Sequence, residues 1–240
     1  MTLIESDIFS ERMRAAVSFA WGMFSRKVGS GMLPINKEAS MQLQYAYVLQ
    51  QLLPLIAFHD EECYEIELET GVKVNGRGRE IDLLFSGSFQ GREHKIAVEM
   101  KCYRTLASSG GKRGATDIFM KDVYFDLYLL ERYVASGVAS AGVSLVMNDM
   151  DRLIHPTAKD AKCWHYDISQ GAIFGPDRFD TPIGGKEVDF SLDKRYALNW
   201  RRFGAFWFLE AEGTSCEDRL IAERAKPGCR PAGPESGDNG

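Results

Sequence analysis

A mixed α/β (α+β) fold, built on a central mixed sheet flanked by helices, is predicted by three observations. Two amphipathic helical stretches come first. The hydrophobic period then switches from helical spacing to strict alternation through three successive segments. A long helical stretch follows and leads into a short apolar run of buried-strand length, Gly142 to Met147.

Residues 7–27 carry Ile8, Met13, Ala16, Val17, Ala20, Met23 and Phe24, mostly three or four apart, as one face of a helix requires. Gly29, Gly31 and Pro34 mark a loop. Asn36 is the expected N-cap of a second helix from Lys37 to about Leu53, with Met41, Tyr45, Val48, Leu49 and Leu52 inward and Pro54 closing it. Tyr64 to Glu69 alternates as a half-buried strand does. Gly71, Gly76 and Gly78 mark a turn region, Arg79 to Phe85 a second strand, and Ser86 through Arg92 a further turn. His94 to Tyr103 is the third strand, with Ile96, Val98 and Met100 on one face and Ala97, Glu99 and Lys101 on the other. After a polar loop, Ser108 to Gly114, a helix starts at Thr116, buries Ile118, Val123, Leu127 and Leu130, and ends at Gly137. Trp164–Ile168, Glu187–Leu192 and Ala205–Leu209 are weaker strand expectations. Tyr196, Trp200, Phe203, Phe206, Trp207 and Phe208 are read as core rather than a base-stacking surface.

The 240 residues suit one substantial domain with a tail, at about 100–200 residues per domain. Lys and Arg total 29 against 34 Asp and Glu, a net charge of −5, which excludes a strongly basic nucleic-acid coat. It leaves open a nucleic-acid enzyme, since binding needs only a local basic surface. Five cysteines, with no two spaced C-x-x-C, fit a reducing compartment better than a disulfide framework. His155, Cys163 and His165 lack the fourth ligand and paired spacing of a zinc site. No apolar run approaches the roughly 18 residues of a membrane span. Acids before Ala15–Phe24 and Ser25-Arg26-Lys27 after it spoil the best signal-peptide candidate. The expectation is a soluble, cytoplasmic protein.

The chemistry concentrates between Arg79 and Arg104. Glu99 and Lys101 share a strand face, and Asp82 reaches the same patch if the strands carrying them pair as a hairpin. Two carboxylates and a lysine amid apolar strands are costly to bury unpaired. A divalent cation, Mg²⁺ or Mn²⁺, would compensate, since it favours oxygen ligands. E-x-K alone is a weak signal: Glu93-His94-Lys95 and the D-x-K Asp160-Ala161-Lys162 also occur, in polar, turn-like stretches. Only Glu99-Met100-Lys101 continues a strand, Lys-Ile-Ala-Val-Glu-Met-Lys, with a strand-borne Asp upstream.

Helix, strand, Arg-Glu-Ile-Asp82-Leu-Leu-Phe, turn, Ile-Ala-Val-Glu99-Met-Lys101, helix, strand resembles the PD-(D/E)xK nuclease superfamily, of restriction-endonuclease-like fold, over roughly residues 36–150. The resemblance implies Asp82 and Glu99 as metal ligands, Lys101 as the catalytic lysine, and Glu38 on the preceding helix as a further acid at the metal. Ile81 stands where the family's variable Pro would be. It implies a metal-dependent nuclease acting on nucleic acid, with DNA the preferred reading, and a homodimer where both strands are cut. Some members are catalytically silent binding modules, which is the alternative. On this reading residues 1–35 are an N-terminal helix and linker packed on the core, 36–212 the nuclease-like domain, and 213–240 a largely disordered tail. Arg77, Arg79, Arg104, Lys112 and Arg113 flank the strands and, with Lys121 on the following helix, are the expected phosphate contacts. Ser109 to Gly114 is not a nucleotide loop, since Leu106 and Arg113 replace its first Gly and its Ser/Thr.

Overall fold

The computed structural model describes residues 3–107 and 110–215. Helix α1 (Phe9–Gly29) buries Met13, Ala16, Val17, Ala20, Phe24 and Val28, and α2 (Glu38–Ile56) buries Met41, Tyr45, Leu49, Leu53 and Ile56. Both stripes repeat at three and four residues, so each helix turns one apolar face to the same side of a sheet. Three long strands follow, β1 (Cys63–Val74), β2 (Arg77–Phe89) and β3 (Arg92–Tyr103). Then come α3 (Thr116–Ala135), β4 (Ala141–Asn148) and the single turn α4 (Asp151–Ile154). Short strands complete the fold: β5 (Ile173–Phe174), β6 (Asp177–Phe179), β7 (Phe190–Leu192), β8 (Tyr196–Ala197), β9 (Arg201–Phe203) and β10 (Phe206–Ala211).

The main sheet has six strands in the order β1-β2-β3-β4-β10-β9. β2 runs antiparallel to both β1 and β3, whereas β3 and β4 are parallel, with α3 as the crossover such a pair needs. The architecture is therefore mixed α+β, a mixed sheet between helical layers. Val98 and Met100 pack with α1 and α2 on one face, and Ala97 packs with α3 on the other. The late aromatic segment is largely core: Tyr196, Trp200 and Phe208 are buried, and Trp200 donates its indole N–H to the Ile168 carbonyl at 2.7 Å.

Several expected boundaries move. Pro54 does not close α2, which runs two residues beyond it; Gln50 and Pro54 are both solvent-facing, so water can serve the carbonyl that proline leaves unpaired. Its N-cap is Lys37 rather than Asn36, and the Ser40 hydroxyl accepts both Asn36 and Lys37 N–H at 3.1 Å. The expected turns shrink to Asn75-Gly76 and Gln90-Gly91, all four residues at positive φ, as tight hairpins demand. Gly71, Gly78 and Ser86 to Ser88 are paired strand residues. Gly87 is there for close approach: a Cβ would lie 2.6 Å from Met13 Sδ and 2.9 Å from Phe9 Cζ on α1. Trp164–Ile168 is not a strand; Lys162–Tyr166 forms a 3₁₀ turn.

Arg12 ties α1 to the rest. Its side chain is 1% exposed and pairs with the fully buried Glu62. It also donates to the Ile56 carbonyl at 2.7 Å and the Ser6 carbonyl at 2.8 Å. Burial pushes the Glu62 carboxyl up, but hydrogen bonds from Arg12, Tyr64 and the Phe58 amide hold it below its ordinary value. Of the tail, Thr214 still exchanges backbone hydrogen bonds with Arg195, and residues 216–240 lie outside the described residues. No helix among the described residues is long and apolar enough to cross a membrane.

Candidate active site

The site grows from a break in the sheet. β2 and β3 pair from Phe89↔Arg92 to Leu83↔Val98 and then part. Opposite, Glu69 of β1 has φ +53°, and the 69–82 pair drops out of a ladder that resumes at Thr70↔Ile81. The side-chain alternation of β2 slips at the same point. Leu83 and Phe85 pack toward α1 and α2, whereas Ile81 joins the α3 side. Asp82 sits in this kink, where its side chain can reach toward β3.

Two β3 amides, Met100 and Cys102, lie beyond the last β2 pair. Both are satisfied by carboxylates: Met100 N–H donates to Asp82 Oδ2 at 2.6 Å, and Cys102 N–H to Glu38 Oε2 at 3.2 Å. Side chains thus stand in for a departed strand, as buried N–H groups require. The second Asp82 oxygen accepts from Gln42 Nε2 at 2.7 Å, one helical turn beyond Glu38 on α2.

The sheet face that carries Glu99 and Lys101 meets α3. Lys101 Nζ lies 3.3 Å from Asp126 Oδ2 and 3.5 Å from Glu38 Oε1. Four carboxyls, Asp126, Glu38, Asp82 and Glu99, act on this one ammonium; burial lowers its pKa, but together they hold it well above the ordinary lysine value. The acids respond in the other direction. Burial pushes up Asp82, Glu38 and Glu99, with the Asp126 and Asp82 charges adding at Glu99. The Glu99 and Asp82 carboxyls act on one another, and Tyr133 of α3 faces Glu99.

The structure therefore brings together Asp82, Glu99, Lys101 and Glu38. It adds Asp126 and Gln42, which sequence reasoning did not single out. Asp126 is 5% exposed, yet an acid on a helix ordinarily reads as solvent face. The proposed phosphate contacts are more scattered. Arg77 and Lys112 are exposed. Arg113 donates to the Asn36 carbonyl at 3.3 Å. Arg104 is committed, paired with Asp149 at 2.9 Å and bonded to the Ile35 carbonyl. Arg79 and Lys121 both lie over the Phe125 ring, and Lys121 pairs with Asp122.

Among the described residues, no group of three or more His, Cys, Asp and Glu forms a ready metal cage. The donor chemistry nevertheless suits a hard cation. Glu99 Oε1 is buried without a hydrogen-bond partner, as is Ser144 Oγ, whose residue is Glu99's register neighbour on β4; the buried Asp126 Oδ2 has only the Lys101 ammonium at 3.3 Å. A buried, unpartnered carboxylate oxygen beside three further carboxyls is what a divalent ion would satisfy. No family model, no curated protein and no solved structure matches this chain.

Asp126 also sets a pH dependence. Burial raises its carboxyl to about 7, with Lys101 opposing and Asp82 and Glu38 adding to the rise. The unfolded chain loses this proton at about 3.9. The folded state binds the extra proton between those values, so stability from this group is complete below about pH 4 and is lost as pH rises toward 7. In EDTA, Asp126→Asn should flatten the fall of the melting temperature across that window. Parallel curves for wild type and variant would show that Asp126 is already ionised there.

Proposed function

We propose that this chain is a metal-dependent nuclease of the PD-(D/E)xK type, hydrolysing phosphodiester bonds of nucleic acid, with DNA the preferred substrate. The observation that carries the proposal is the carboxyl cluster around Lys101, with the unpartnered Glu99 Oε1, at the point where β2 and β3 part. The order α2-β1-β2-β3-α3-β4, with β3 parallel to β4, supports it.

Asp82, Glu99 and Glu38 are the residues proposed to hold Mg²⁺ or Mn²⁺, with Asp126 facing them. When bound, such an ion supplies Lewis-acid polarisation of the phosphate and a more acidic water. Lys101 stays protonated, so its role is to orient the attacking water and to stabilise charge developing on the phosphate, rather than to remove a proton. Gln42 and the Met100 amide fix the Asp82 carboxylate, which keeps the constellation in place before substrate arrives. The described cysteines, Cys63, Cys102 and Cys163, are free thiols, which supports placing the protein in a reducing, cytoplasmic compartment.

The test is cleavage of labelled duplex, single-stranded DNA and RNA in Mg²⁺, Mn²⁺ and EDTA. Cutting that needs the metal is expected. Binding without cutting in any metal would favour a catalytically silent module of the same fold.

A further inference from the structure

Beside the carboxyl cluster, the outer face of α3 and the strap Ile183–Phe190 enclose a cleft of about 400 Å³, within the range of small-ligand sites. Ile118, Phe125, Ile183, Val188 and Phe190 give it apolar walls. Asp122 of the lining stands one helical turn before Asp126 on the same side of α3, so the cleft lies a turn away from the carboxyl cluster. The Phe125 ring stands edge-to-face with Phe190, centroids 5.6 Å apart at 72°. Arg79 Cζ and Lys121 Nζ each lie 5.6 Å from its centroid. Arg79 leaves β2 three residues before Asp82 and lies over Phe125 of the lining, so it joins the strand of the cluster to the cleft.

The charges of the cleft wall are largely cancelled. Lys121 pairs with Asp122, and Asp189 pairs with Arg178 at 2.9 Å. A second phosphate gains little from such a wall. A flat, uncharged ring gains stacking on Phe125, and Lys186 and Glu187 at the lining offer a donor and an acceptor to its polar edge.

We propose that this cleft is a nucleobase subsite that takes one unpaired base next to the scissile phosphate, stacked on Phe125, while Arg79 holds the adjoining backbone. The proposal rests on the nuclease reading and narrows its substrate. A base must leave the duplex stack to lie against Phe125, so the preferred substrate is single-stranded nucleic acid, or a duplex from which one base is extruded.

The experiment is fluorescence anisotropy of the full chain in Ca²⁺, with strand integrity checked on a denaturing gel. The probes are a labelled DNA single strand, an abasic strand of equal length and the corresponding duplex. Stacking of one base is worth about 1–3 kcal/mol. Wild type should therefore bind the intact strand roughly 5–150-fold more tightly than the abasic one, and more tightly than the duplex. Phe125→Leu should lower affinity for the intact strand to the abasic level, and Phe125→Tyr should restore it. The abasic comparison needs no variant, so it stands even if Phe125→Leu folds poorly. Equal binding of intact and abasic strands overturns the subsite, and the nuclease reading survives that result if Mg²⁺-dependent cutting persists. A protein that neither binds nor cuts any nucleic acid loses both.

Discussion

Lys101→Ala is expected to slow single-turnover cleavage by about 10²–10³-fold, the usual cost of removing one positioned electrostatic group. Its consequence for stability is less obvious and equally testable. Lys101 is the one ammonium acting on four carboxyls, three of them within β2, β3 and α3 and one on α2. Without it their repulsion is unopposed, and a divalent cation becomes the remaining counter-charge. The variant's melting temperature should therefore rise more steeply with Mg²⁺ than that of wild type. Asp82→Asn should behave differently: it keeps one acceptor oxygen, loses a hard anionic ligand, and should regain part of its rate at high Mn²⁺, where Lys101→Ala does not. A folded Lys101→Ala protein that cuts at the wild-type rate would make Lys101 a merely structural cation and remove the proposed mechanism.

The largest stability effect is expected far from that cluster, at Arg12. Breaking a buried ion pair by truncating one partner typically costs about 3–5 kcal/mol, because the other charge is left buried and alone. Arg12→Ala strands Glu62, whose side chain has no solvent exposure, and also frees the Ile56 and Ser6 carbonyls. Urea denaturation should show a loss of that size. Replacing both partners with apolar residues, Arg12→Met with Glu62→Leu, should recover much of it. A single variant that loses less than about 1 kcal/mol would mean that water or a neighbouring cation reaches Glu62.

The elements legible in the sequence are those whose period is set by burial on one face. Ile96, Val98 and Met100 were separable from Ala97, Glu99 and Lys101 because a strand has a period of two, and the structure keeps that division. The glycines misled where their use was packing rather than turning: Gly87 reads as a turn residue, but its missing Cβ admits Met13 of α1. Asp126 and Arg12 were illegible for a different reason. Each is a charged residue on an amphipathic helix, a type that ordinarily reads as solvent face even where its spacing falls on the apolar stripe, and only its contacts with distant segments explain its burial. The closeness of Glu38 to Lys101 could be expected only from the family resemblance, since no local rule links an α2 acid to β3.

The parting of β2 from β3 also gives the molecule a built-in reporter. An amide bonded to a carboxylate feels that carboxylate's charge, unlike one bonded to a neutral strand carbonyl. Met100 and Cys102 are two such amides, tied to Asp82 and Glu38 respectively. In a ¹⁵N spectrum their cross-peaks should move on titration with Mg²⁺, while the Val98 amide, beside the paired part of the sheet, moves little. Occupancy of the carboxyl cluster can thus be followed through the backbone, with no substrate present and no bond being cut.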